Sequence, residues 1–284
     1  MRWTPGDRSN LEDRRGGGGM RVAGAGSLGI GGLLLLAVLS WATGTDLFSL
    51  LGGGVAPVDD SRPAAPGETS PEEERLVDMV GAVATDTQDV WRQLLGDRYQ
   101  TAKTVLFRGV IPTACGTGES ATGPFYCPAD QQVYLDLSFF ADLSQRFGAP
   151  GDFAQAYVIA HEYGHHVQNL LGLNERVGND RQGANSAAVA LELQADCFAG
   201  VWGHAASQRG RSAQGKVELD PDDTEEALQA AASIGDDRLQ RMAGARVQPE
   251  RFTHGTSAQR VEWFRRGMES GDPRRCDAFA ELTQ

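Results

Sequence analysis

The stretch AYVIAHEYGHHVQNLLG, residues 156–172, restricts the fold more than any other part of the chain. Ala156, Ile159, Ala160, Tyr163 and Val167 recur at three- and four-residue steps, the helical period, and Gly172 is placed to end the run. A helix is therefore expected over 153–171. On it His161 and His165 stand one turn apart on the same face, with about 5–6 Å between β-carbons. Two imidazoles at that spacing can converge on one ion, and Glu162 lies beside them. The H-E-x-x-H pattern thus supplies two nitrogen ligands for Zn2+ and a carboxylate placed to take a proton from water activated by the metal. His166 and His204 are read as ordinary core or surface histidines.

A catalytic zinc needs a third protein ligand and one open position. A metzincin would carry glycine at 168 and histidine at 171, whereas this chain has Gln168 and Leu171. The other common solution takes a glutamate from a second helix. VALELQADCFAGVW, residues 189–202, offers Glu192 with Asp196 one turn on, in an apolar run where unpaired carboxylates would be costly. Glu192 is assigned as the third ligand. Asp196 is assigned as an outer acceptor from a ligand imidazole, fixing its tautomer. Glu175, Glu225 and Glu226 lie among polar residues and are weaker candidates.

Peptide hydrolysis also needs a donor for the developing oxyanion. THGTSAQRVEWF, residues 253–264, places His254 before a T-x-x-Q capping box and Arg260 inside the helix that the box opens. On these residues alone His254 is equally a residue that merely starts a helix.

From Val22 to Thr45 the chain carries no charge for 24 residues, enough to cross a hydrocarbon core of about 30 Å. Arg2, Arg8, Arg14, Arg15 and Arg21 precede this run, while Asp46, Asp59 and Asp60 follow it before the next arginine. The positive-inside bias then puts residues 1–21 in the cytoplasm, a single transmembrane helix at 22–45 and the rest outside. The competing reading is a signal peptide cleaved near Ala42. Residues 46–70, rich in Gly, Pro and acidic residues, read as a flexible linker, which leaves 71–284 as the globular domain. A net charge of −12, with no lysine or arginine run, lacks the electrostatic footprint of nucleic-acid binding.

Ser70-Pro71-Glu72-Glu73 is a capping box opening a helix to about Leu95. TVLFRGVI (104–111) and QVYLDL (132–137) read as strands, the second by alternation. Further helices are expected at 138–147, 185–208, 221–232, 236–243 and 257–269. A few strands followed by helices, without repeats, suggest an α+β fold. Four cysteines, none in a C-x-x-C, suit two disulfides in an oxidising compartment. Cys115–Cys127 would staple a Gly-rich turn. Cys197–Cys276 would tie the helix of Glu192 to the C-terminal segment.

Taken together, SNLEDRRGGG, CGTGESATGPFYCPADQQVYLDLSFF, HEYGHHVQ, LELQADCFAG and FTHGTSAQRVEWF resemble the neutral zinc metallopeptidases of bacterial envelopes, within the gluzincin-like zincins. The resemblance spans nearly the whole chain. It implies a zincin fold with a small sheet, and His254 and Arg260 lining the site as catalytic groups. It also implies an edge strand beside the active-site helix that binds extended substrate by β-addition. QVYLDL, with Val133, Tyr134 and Leu135, is the candidate for that strand.

The expected function is a single-pass, membrane-anchored zinc endopeptidase with its catalytic domain outside, acting on peptides or proteins with Glu162 as general base. The rivals are a catalytically silent envelope scaffold and a zinc amidase acting on cell-wall peptide. Intact Glu162 argues against the first, because a pure metal scaffold needs only the histidines.

Overall fold

The Ser70 hydroxyl accepts the backbone N–H of Glu73 at 3.1 Å and opens helix α1, Pro71–Leu95, as the capping box predicts. The computed structural model describes residues 1–5, 8–16 and 69–282. Among these the chain is α+β. After α1 come the strands β2 (Lys103–Phe107), β3 (Val110–Thr113), β4 (Gly116–Glu119), β5 (Phe125–Cys127) and β6 (Gln132–Asp136), and ahead of it lies a short strand β1, Leu11–Asp13. The remaining helices are α2 (Ser138–Gln145), α3 (Asp152–Leu170), α4 (Ala187–Ala206), α5 (Asp223–Ser233), α6 (Asp236–Met242), α7 (Ser257–Ser270) and α8 (Ala278–Leu282). No helix among the described residues is long and apolar enough to cross a membrane, and the expected span 22–45 lies outside them.

The main sheet has the order β1-β2-β6-β5, with β1, β2 and β6 parallel and β5 antiparallel to β6. This order corrects two expectations. The run 104–111 is not one strand: the chain turns at Gly109 (φ 74°), and Val110–Thr113 pairs instead with β4 in a separate hairpin. Nor are Val133, Tyr134 and Leu135 an edge. They are hydrogen-bonded to β2 on one side, and Val133 and Tyr134 to β5 on the other. All three are buried. Alternation suggested a strand wet on one face, but Tyr134 is covered by Phe125, stacked on it at 5.0 Å, and its hydroxyl donates to Asp130. A strand covered on both faces is what a largely parallel sheet requires. The free edge beside α3 belongs to β5.

Helix α3 is buried on nearly every side, with His161, Glu162, His166 and Gln168 among its buried residues. A Glu226 carboxylate oxygen accepts the N–H of Phe153 in its first turn, and Gly172, in the left-handed region at φ 70°, follows its end. α4 crosses both α3 and α7 closely. A β-carbon on Gly164 of α3 would lie 3.0 Å from the Ala195 carbonyl oxygen of α4. A β-carbon on Gly267 of α7 would run into the Cys197 carbonyl of α4, and one on Gly200 into the Phe264 carbonyl. Disulfides Cys115–Cys127 and Cys197–Cys276 are both present, the second fastening α4 to the segment after α7.

The α4–α7 crossing sets up a test between two effects of opposite sign. Gly267→Ala gains about 1 kcal/mol of helix propensity, but the obstacle is backbone, which cannot rotate away, and overpacking of this kind costs roughly 1–3 kcal/mol or more. A net loss of stability is expected in denaturant titration. A variant as stable as the parent would contradict the close crossing.

Candidate metal centre

The approach of α4 to α3 at Gly164 brings Glu192 over the histidine pair. His161 Nε2 lies 3.3 Å from one Glu192 carboxylate oxygen and His165 Nε2 3.5 Å from the other. Donor atoms of the three residues lie within 4.8 Å of one another. Tetrahedral zinc with bonds of about 2.0–2.2 Å has ligand–ligand edges of about 3.3–3.6 Å. The separations therefore fit one zinc ion with little rearrangement. Glu162, on the same helix face, borders the same cavity of about 750 Å³, which is open to solvent and edged by Phe125 and Tyr126 of β5 and by His254.

Each histidine is held by its other ring nitrogen. His161 Nδ1 lies 2.9 Å from Asp196 Oδ1, and Asp196 is fully buried. The same carboxylate accepts the Tyr157 hydroxyl at 2.5 Å and two guanidinium bonds from Arg260, at 2.8 and 2.9 Å. Burial opposes ionisation of Asp196, but Arg260 and His161 outweigh it and hold the group at about 2. Burial likewise works against the charged form of His161, yet Asp196 and Glu192 push it up to about 10. In Glu192 burial is overcome by His165, His254 and His161, which hold the carboxyl well below its usual range. In the metal-free cluster a charged His161 thus balances Glu192, and Arg260 balances Asp196; a metal at Nε2 takes the place of that proton.

His165 is held differently, by a residue that sequence reasoning passed over. Gln168, fully buried, donates from its amide nitrogen to the Leu191 carbonyl at 2.7 Å and to Gln194 Oε1 at 3.1 Å. A carbonyl can only accept, so the Gln168 amide orientation is fixed, and its Oε1 faces His165 Nδ1 at 2.8 Å. Nδ1 must carry a proton, which reserves Nε2, on the side of Glu192, as the nitrogen for a metal. Gln194 in turn donates to the Cys276 carbonyl at 2.8 Å, so the relay ends beside the Cys197–Cys276 bridge. The available sequence signal was an amide three residues after His165 on the apolar face of its helix.

His254 sits at the cavity rim, its side chain 50% exposed. Its loop is fastened by another residue that sequence analysis missed. Asp236 Oδ2 accepts the backbone N–H groups of Thr253, His254 and Gly255 at 2.7, 2.7 and 3.1 Å, and Oδ1 lies 3.4 Å from His254 Nδ1. Partial burial works against a charged His254, but Glu192 and Asp236 prevail and raise it. The predicted capping box is formed by Thr256 and Gln259. Arg260 follows it at 3% exposure, with its bonds to Asp196, the Tyr157 hydroxyl and the Ile234 carbonyl. Arg260, expected as a catalytic group, borders the cavity and holds Asp196.

Residues 1–279 match the family described as "Putative neutral zinc metallopeptidase". The chain belongs to this family. It is 47% identical over 296 aligned residues to the "Uncharacterized protein YpfJ" of Escherichia coli K12, covering 99% of each chain. It is 44% identical over 242 residues to the "Uncharacterized protein Rv2575" of Mycobacterium tuberculosis H37Rv, covering 80% of this chain and 82% of that one. No solved structure matches. Membership of a zinc metallopeptidase family makes zinc the metal for which the His161–His165–Glu192 cluster is suited.

The Gln168 relay predicts a specific loss. Gln168→Ala should weaken zinc binding by roughly 10–100-fold, the scale for an outer hydrogen bond to a ligand histidine. Chelator competition measures it, and an unchanged dissociation constant would remove Gln168 from the centre.

Proposed function

We propose that the chain is a zinc-dependent endopeptidase in which His161, His165 and Glu192 hold the metal and Glu162 is the general base. The observation that carries this reading is a carboxylate unused by the ligand set, Glu162, beside that set and facing an open cavity bordered by a strand with a free edge. A binding module would need the ligands but not the extra acid. Bound zinc supplies Lewis-acid polarisation and lowers the pKa of water to about 7.

The rest of the chemistry falls to this chain's own side chains. An extended peptide pairs along β5, whose Phe125 and Tyr126 edge the cavity, and this brings its scissile carbonyl over the centre. Glu162 accepts the proton of the attacking water on its carboxylate and returns it to the leaving amine. His254, raised toward its charged form, donates to the oxyanion. Arg260 holds Asp196, Asp196 holds His161, and Gln168 holds His165, so neither imidazole has to reorient as charge develops. The substrate class, peptide or protein, follows from the family. The two disulfides favour an oxidising, extracytoplasmic compartment for this domain, with membrane attachment through 22–45.

Two substitutions test the assignment of roles. Glu162→Gln should keep stoichiometric zinc and the parent's thermal stability while hydrolysis of a peptide mixture disappears, because an amide cannot take the proton. Activity within tenfold of the parent would refute the general base. His254→Ala should lower turnover by roughly 10²–10³ at unchanged zinc content, the scale for one lost oxyanion donor, and an unaltered rate would leave His254 with only its helix-starting role.

A further inference from the structure

We propose that residues 1–15 are a permanent part of the peptidase domain and lie on the same side of the membrane as its metal centre. This reverses the expectation of a cytoplasmic leader facing away from an external domain. It does not depend on whether the domain is catalytic.

The backbone carries the first argument. β1 pairs in parallel with β2, Leu11 opposite Thr104, Glu12 opposite Val105 and Asp13 opposite Leu106, and the Arg14 N–H extends the ladder to the Leu106 carbonyl at 2.8 Å. Without β1, β2 would be an open sheet edge although its residues Thr104–Phe107 are buried. Parallel strands of this kind are found covered, and an exposed apolar edge invites aggregation. Further upstream, Arg2 and Glu218 exchange two backbone hydrogen bonds of 2.9 Å, and Trp3 and Leu11 pack against the main core.

The side chains carry the second. Arg15, its side chain 3% exposed, reaches Asp13 at 2.6 Å and Glu73 and Glu74 in the first turn of α1 at 2.9 and 3.0 Å. Arg8 reaches Glu74 and Asp78 at 2.8 and 2.6 Å. Arg2 reaches Asp220 and the buried carboxylate of Glu218 at 2.9 and 2.7 Å. With Arg14, these are four of the five arginines that suggested a cytoplasmic leader. Three of them are matched to carboxylates of the domain, and Arg14 to Glu12. Arg2, Arg8 and Arg15 thus serve docking onto the domain, while Arg21 lies outside the described residues.

A topological consequence follows. The chain is fastened to the domain by Arg15 on one side of the uncharged run and by α1 on the other. A single crossing by 22–45 would break every contact just described.

The test uses the full-length chain in native membranes. Its four cysteines are all in disulfides, so an introduced thiol is the sole target of a maleimide. Thr4→Cys and Glu269→Cys, both at exposed positions, should be labelled by a membrane-impermeant maleimide from the same side. Arg8→Cys combined with Asp78→Cys should be joined by a short bis-maleimide, with zinc content equal to the parent's as the control for folding. Labelling from opposite sides would overturn the proposal. So would same-side labelling without the Arg8–Asp78 cross-link.

Discussion

Asp196 is the point at which three helices meet. Its carboxylate, on α4, binds His161 and Tyr157 of α3 and Arg260 of α7. A buried charge with those partners removed would be left uncompensated at a cost of about 3–5 kcal/mol, so it acts as a geometric lock as much as an electrostatic one. Once Asp196 is fixed, Glu192, one turn earlier, faces the histidines, and the loop before Arg260 brings His254 to the cavity rim. The glycines at 164, 200 and 267 matter for the same reason, since they let the helices come close enough for short side chains to meet.

Much of the centre was legible because its chemistry is written in local spacing. His161, Glu162 and His165 are fixed by the helical repeat alone. Glu192 and Asp196 declared themselves as acids in an apolar run, a placement that is costly unless something compensates it. The helices were readable from their caps, as Ser70 and Thr256 illustrate. Features depending on partners distant in sequence were not readable. Gln168 looks like any helix amide until the Leu191 carbonyl and Gln194 fix its orientation, and Asp236 acquires its role only where three N–H groups of the 253–255 loop converge on it. Arg260 was placed at the centre and does border the cavity, but its bonds to Asp196 were not readable from spacing.

The sheet was the least legible element. Alternation in QVYLDL marked a strand and the family resemblance made it the edge, whereas β6 is covered on both sides and β5, three residues long, takes the edge. Pattern reports burial of alternate faces and says nothing about how many neighbours a strand has. The N-terminal residues illustrate the same limit. Their arginines were counted as a charge bias along the sequence, and only tertiary placement reveals carboxylates of the domain opposite Arg2, Arg8 and Arg15.

The centre combines three donors gathered within 4.8 Å of one another, outer bonds that orient both imidazoles, and a further acid facing an open cavity beside a strand edge. Its central claim, peptide-bond hydrolysis, is tested most directly by mass-spectrometric mapping of an unbiased peptide mixture incubated with the purified, zinc-loaded full-length protein. Cleavages at internal bonds that vanish on chelation and return when zinc is restored are expected. Intact peptides in the presence of stoichiometrically zinc-loaded protein would contradict it.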